Sequence, residues 1–206
     1  MSAVGVQRRQ PRQIRSRETV GRILAATEEL ILAGGIEAAT TRTIGQRAGV
    51  GPASLYRFFA DREEIFAALL QRELTKLEAE IEQRETALLA TTTHGFIAAQ
   101  LEMFVSFHEC NPLFVRLWFG GRLTPGIVAR VHAYNRVLAD RAARRLTAAR
   151  LLDAERAKQA TPILVEVADR ILELAFRDRP TADSEVITTG IAMLAAYLDS
   201  AIARET

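Results

Sequence analysis

The chain is poor in the residues on which most enzymatic and secretory chemistry rests: its 206 residues include one cysteine, one tryptophan and three histidines. Each shortage excludes something. Cys110 alone can form no intrachain disulfide and no zinc site built on several thiolates, and it suits a reducing cytoplasm. His94, His108 and His132 stand outside any H-E-x-x-H, P-loop, G-x-G-x-x-G or G-x-S-x-G pattern, and positions 108 and 110 point to different sides of a helix. We therefore expect no catalytic centre, no metal site and no cofactor. Long apolar runs are missing too. No stretch of roughly 18 uninterrupted apolar residues occurs, and no signal-peptide run follows Arg8, Arg9, Arg12 and Arg15. The expectation is a cytoplasmic protein that neither leaves the cell nor crosses a membrane.

What is present is a hydrophobic content of 49% and a charged content of 25%, enough for one large core or two modest domains. The net charge of +2 conceals a segregation. Residues 1–60 hold nine Arg or Lys against four Asp or Glu, whereas the remainder holds eighteen against twenty-one. A basic N-terminal end suits contact with a polyanion.

The periodicity is helical throughout, and no stretch alternates as a strand does, so the chain reads as all-α with about nine helices. Residues 1–15 are polar and aperiodic and read as a flexible basic arm. From Ser16, a stripe of Val20, Ile23, Leu24, Thr27, Leu30 and Ile31 makes a first helix that Gly34 and Gly35 stop. The organising stretch follows. Thr40 and Thr41 supply N-cap hydroxyls for a short helix whose Ile44 and Ala48 share an inward face. Gly49 closes it in the left-handed conformation, Val50 anchors the turn, and Gly51 with Pro52 restarts the chain. The next helix buries Leu55, Phe58 and Phe59 and leaves Ala53, Ser54, Tyr56 and Arg57 on or near its other side. The result is a helix-turn-helix with a polar reading face, expected to span residues 16–60 together with the first helix.

Asp61 and Glu64 then form a D-x-x-E capping box, and a stripe from Ile65 to Ile81 carries a long helix from Arg62 to about Leu88. Further helices are expected over His94 to Glu109, from Pro112 to the Gly120-Gly121 pair, and from Thr124 and Pro125 onward. Another, capped by Asp153, runs to Arg177 and is either kinked or restarted at Pro162, and Thr181 opens a last one to about Arg204.

The residues Thr40-Thr41-x-x-Ile44-x-x-x-Ala48-Gly49-Val50 and Leu55-Tyr56-x-x-Phe59-x-x-Arg62-Glu63-x-Ile65-Phe66 closely resemble the signature of TetR-family transcriptional regulators. The resemblance implies a homodimer with an N-terminal helix-turn-helix and a larger C-terminal helical domain, residues 61–206, that binds a small effector and dimerises. It implies a sequence-specific regulator of a palindromic double-stranded DNA operator, with no cofactor, and a repressor first, since most members are. A ligand-dependent activator and a helical carrier of hydrophobic molecules without operator recognition are the alternatives. By position, Thr41, Arg42, Tyr56 and Arg62 match phosphate contacts, and Ala53 and Ser54 match places near bases. Arg47 and Arg57 are further candidates for reading base edges. Hydroxyls, a phenol and guanidinium groups near helix N-termini are suited to phosphate oxygens on physical grounds alone.

Seven of the thirteen aromatic residues fall between Phe96 and Tyr134. Such rings fill a core or line a pocket, and the resemblance favours a site for a small, hydrophobic or aromatic effector built from Phe96, Phe104, Phe107, His108, Trp118, Phe119 and Tyr134. Residues 186–202 are apolar around nearly the whole helix, so something must cover both sides. With the apolar face of the preceding helix they suggest a four-helix dimer interface containing Leu172, Phe176, Gly190, Leu194, Tyr197 and Leu198. Gly190, Ala195 and Ala196 would allow close backbone approach there.

Overall fold

Helix α1 is described over Pro11–Gly34. The computed structural model describes residues 11–85, 91–120, 125–177 and 179–203, and among them are nine α-helices, one 3-10 turn and no strand. The arm expected over 1–15 is therefore helical from Pro11, while residues 1–10, with Arg8 and Arg9, lie outside the described residues. Once the apolar stripe nucleates α1, each added residue gains a backbone bond without a new nucleation cost, so a polar extension needs no periodicity of its own.

The chain divides into two units, residues 1–69 and 70–206. In the first, α1 is followed by a 3-10 turn (Ile36–Ala38), α2 (Thr41–Ala48), α3 (Pro52–Phe58) and the start of α4 (Arg62–Glu85). Ile23, Ile31, Ile44, Leu55, Phe59 and Phe66 form its core, each almost wholly removed from water. Thr27 is buried among them because its hydroxyl donates to the Ile23 carbonyl at 2.7 Å. Arg22 donates to the Ala48 carbonyl at 3.3 Å, tying α1 to the C-terminal end of α2, where a cation is favoured.

The second unit takes the rest of α4, then α5 (Thr93–Cys110), α6 (Pro112–Trp118), α7 (Pro125–Ala148), α8 (Ala154–Phe176) and α9 (Ser184–Ala203). Helix α8 packs on both α7 and α9, and α9 also packs on α5. Their shared core includes Phe96, Leu101, Leu146, Leu164, Leu172 and Leu198. Asp153 caps α8 by accepting from the Arg156 N–H at 3.0 Å, and that bond holds its carboxyl below the usual carboxylate range. Pro162 lies inside α8, which continues through it as one helix. The last helix starts at Ser184, later than the expected Thr181, because Asp183 accepts from the Glu185 and Val186 N–H groups at 3.0 and 3.3 Å. Leu88, Gly121, Thr124 and Arg204, expected near helix ends, lie outside the described residues.

By length and composition α9 could cross a bilayer, a property that the search for an uninterrupted apolar run does not register. Its Ile187, Gly190, Leu194 and Leu198 are buried in the second unit, and Thr93 of α5 donates to its Asp199 at 2.6 Å.

Candidate functional site

The turn of the helix-turn-helix is set by its caps. The Thr40 hydroxyl accepts from the Thr43 N–H at 3.1 Å, and the Thr43 hydroxyl accepts from the Thr40 N–H at 2.9 Å, a reciprocal box that fixes the start of α2. Thr40 alone is the cap, and Thr41 is the first helical residue. At the other end Gly49 takes φ 63° and ψ 40°, the left-handed conformation that a β-carbon disfavours. Val50 is buried beneath the turn, and its N–H donates to the Gly45 carbonyl at 2.9 Å. Gly51 caps α3 without a side chain, and Pro52 occupies the first helical position.

This frame leaves Arg42, Ala53, Tyr56 and Arg57 exposed and Thr41 and Ser54 half-buried. Tyr56 is 54% exposed, so it is not a core aromatic. An aromatic ring held in water on a rigid helix contributes nothing to the core that the neighbouring Leu55 and Phe59 supply. Arg57 lies over the Phe58 ring at 4.6 Å, and Phe58 is half-buried where full burial was expected. Arg47 and Arg62 have acidic neighbours: Arg47 reaches Glu29 at 2.6 Å, and Arg62 reaches Glu37 at 3.6 Å and lies over the Phe66 ring at 5.4 Å. Exposed pairs of this kind contribute about 0–1 kcal/mol, so a phosphate can replace the carboxylate at little cost.

A second site lies wholly in the residues after Leu69. It is a cavity of about 80 Å³ among α4, α5, α6, α7, α8 and α9. Of the seven residues expected there, Phe96, Phe104, His108, Trp118 and Tyr134 line it. Phe107 and Phe119 do not: Phe107 packs edge-on against Phe114 at 5.2 Å, and Phe119 stacks on His108 at 5.6 Å. Residue spacing on one helix could not separate rings that face the cavity from rings that back the residues facing it.

Several polar groups of the cavity are held in place by partners distant in sequence. Trp118 Nε1 donates to Asp169 Oδ1 at 2.6 Å, and Asn135 donates to Glu166 at 3.3 Å. Tyr134 donates to Glu78 of α4 at 2.5 Å, and Arg141 pairs with the same carboxylate at 3.0 Å. Burial, with the Glu78 bond added, pushes the Tyr134 hydroxyl far above its ordinary titration range. His108 Nδ1 donates to the Phe104 carbonyl, which can only accept, so Nε2 carries the lone pair. Burial lowers the imidazole from 6.5 to about 4, and it is neutral at pH 7. Gln100, Arg141, Arg145 and Asp169 also line the cavity and were missed from sequence. Asp169 left one signal: it is a carboxylate between Ala168 and Leu172 on an apolar helix face.

Comparison with known proteins decides the family. Residues 23–69 match the description "Bacterial regulatory proteins, tetR family", and residues 94–198 match "Tetracyclin repressor-like, C-terminal domain". The chain belongs to the TetR family. It is a DNA-binding transcriptional regulator. It is 30% identical over 167 residues, covering 79% of this chain and 75% of the relative, to the transcriptional activator FasR of Mycolicibacterium smegmatis. Over 71 residues it is 34% identical to the transcriptional repressor KstR of Mycobacterium tuberculosis, covering 34% of this chain and 32% of that one. The fold is shared with a TetR-family regulator from Streptomyces coelicolor, at TM-score 0.56 and 24% identity, covering 89% of this chain and 99% of that one. It is also shared with EbrR, a multidrug binding protein crystallised with imidazole, at TM-score 0.61 and 21% identity, covering 94% and 97%.

TetR-family proteins dimerise, and here the expected interface residues require correction. Leu172, Phe176, Gly190, Leu194 and Leu198 are buried inside the single chain, and Tyr197 is half-buried with its hydroxyl donating to the Ala160 carbonyl at 3.3 Å. A β-carbon on Gly190 would lie 2.6 Å from Ile171 Cγ2, so the glycine serves the packing of α9 on α8. Ala195 is buried as well, and only Ala196 of the three small residues is exposed. The large apolar side chains left in water on these helices are Ile163 and Leu174 of α8 and Met193 and Ile202 of α9. An all-round apolar helix has two covered faces, and periodicity does not say which one its own chain covers.

Proposed function

We propose that this regulator is a cytoplasmic repressor that binds a palindromic operator as a homodimer and releases it when a small hydrophobic effector enters the cavity after Leu69. One observation carries the reading: α4 is a wall of the cavity. Leu77 and Ile81 line it, and Glu78 between them holds Tyr134 and Arg141, two further lining residues. A cavity of about 80 Å³ is small, so an effector of more than a few heavy atoms must displace its walls. Displacing Tyr134 or Arg141 moves the partners of α4, whose other end begins at Arg62. Binding energy that differs between two positions of α4 shifts the population toward the one that fits the effector.

On the DNA side, Thr41, Arg42, Tyr56 and Arg62 hold phosphates in this proposal, and Ser54, Ala53, Arg47 and Arg57 approach base edges. The two half-sites of a dimer are about 34 Å apart on one face of the duplex, which requires a second copy. The exposed face of Ile163, Leu174 and Met193, with Ala196 permitting close approach, is the proposed interface. In sedimentation, Met193→Asp should yield monomers, and a dimer that persists unchanged would remove α9 from the interface.

A Glu78→Gln variant tests the coupling. It should still bind effector, read by Trp118 fluorescence, but lose most of the effector's change in operator affinity, which for a coupling of about 1–3 kcal/mol is 5- to 150-fold. A full response in the variant would refute the route through α4. FasR is named an activator, which favours a second reading in which effector improves operator binding. The sign of the affinity change separates the two.

A further inference from the structure

We propose that the cavity selects a hydrophobic carboxylic acid, with its carboxylate seated at Gln100 between the guanidinium groups of Arg141 and Arg145. This names the chemistry of the effector and rests on the cavity being the effector site. The deciding atom is Gln100 Nε2, which is buried and has no acceptor among the described residues. Its identity as a donor is fixed by its neighbour. Arg145 Nη1 donates to Gln100 Oε1 at 3.0 Å, and a guanidinium can only donate, so the amide cannot be flipped without setting two donors against each other. A buried donor left unmatched is destabilising, and a ligand acceptor placed there relieves it.

The surroundings choose among acceptors. Arg141 and Arg145 are one turn apart on α7 and both line the cavity; the lining carries one carboxylate, Asp169, and Glu78, outside the lining, pairs with Arg141 at 3.0 Å. Asp169 is held by the Trp118 indole at 2.6 Å. Arg145 lies over the Phe96 ring at 5.6 Å, which steadies its position beside Gln100. An ammonium group would meet two guanidinium groups here, and an alcohol would match the Gln100 donor without the charge attraction. A carboxylate satisfies both. Trp118 lies against Tyr134 at 5.9 Å between ring centres, and Tyr134 precedes Arg141 and Arg145 on α7 by seven and eleven residues. At a helical rise of 1.5 Å per residue, that sets the head-group end roughly 10–16 Å from the tryptophan end along α7. The wall on the way is apolar, through Leu101, Leu138 and Leu172. An acid with a chain of about eight carbons spans most of that distance.

Octanoate, octylamine and 1-octanol, titrated into the full-length protein below their aggregation limits and followed by the fluorescence of the single tryptophan, test the assignment. Octanoate is expected to bind at least about tenfold more tightly than either of the others. Gln100→Glu should reduce octanoate binding by at least that factor and raise octylamine binding. Arg145→Met is the second variant, expected to weaken octanoate while leaving octanol unchanged. Retained helical circular dichroism and operator binding verify that both variants fold. Equal binding of all three compounds, or octanoate binding that Gln100→Glu leaves unchanged, would overturn the head-group assignment. If octanol and octanoate still alter operator affinity alike, the effector site stands and the acid selectivity alone falls. If none of the three changes either fluorescence or operator binding, the cavity is not an effector site and both readings fall together.

Discussion

The two units place their polar groups by different means. In the first unit, the bonds that shape the reading head are local: Thr40 with Thr43, Asp61 with the Glu64 N–H at 2.9 Å, and the Gly49 turn. In the second, Tyr134 meets Glu78 from 56 residues away, Trp118 meets Asp169 from 51, and Gln100 meets Arg145 from 45. A DNA-reading surface requires a stiff, repeatable geometry, which short capped helices on a small core supply. A cavity requires walls from several helices, so its chemistry is assembled only when those helices pack. The difference teaches that the same chain can be legible at one end and opaque at the other.

The largest effect should come from cutting into the small core. Leu55, 1% exposed, is the main anchor of α3, and Leu55→Ala should cost about 2–5 kcal/mol. If the units are energetically separate, operator binding is lost while unfolding followed at Trp118, in the second unit, is unchanged. A Trp118 transition that shifts equally would break the comparison.

Next in size is the titration of His108. Its imidazole falls from 6.5 in the unfolded chain to about 4 in the fold, so between those values the unfolded chain binds more protons and stability rises with pH. The contribution is complete above about pH 6.5 and is lost progressively down to about pH 4, some 3 kcal/mol in all. Urea unfolding of the second unit at pH 7 and pH 4.5 should show that slope, and His108→Gln should flatten it. A slope that survives the substitution would assign it to another group.

The smallest of the three effects concerns the reading head. Tyr56→Ala should leave the fold intact and weaken binding to every DNA sequence alike, by about tenfold, as expected for a phosphate contact. Unchanged affinity at moderate salt, or a loss confined to one operator sequence, would remove Tyr56 from that role.

Legibility followed the range of the interactions. The order of helices, the Gly49 turn and the D-x-x-E start of α4 could be read because each depends on residues within about one helical turn. The stripe of α1 was read equally well, but not its reach back to Pro11, since a polar extension leaves no periodic trace. At the cavity, clustering of rings brought Phe96, Phe104, His108, Trp118 and Tyr134 into view. It could not reveal Gln100, Arg141 or Arg145, because a cluster of rings does not show which polar side chains packing brings to it. At α8 and α9 the pattern showed that two faces must be covered. It assigned Leu172, Leu194 and Leu198 to the wrong one.

By itself, then, the sequence determined the all-α class, the helix-turn-helix and its family, because capping, turn geometry and helical periodicity act over three or four residues. Only the tertiary structure decided which aromatic rings face a cavity, which apolar face of α9 remains in water and where Gln100 presents its unmatched donor. Those outcomes depend on how helices separated by 40 or more residues meet, and the physical reason is that packing compares whole surfaces: the face a helix buries is chosen by its partners, while the side chains that make it buriable are its own.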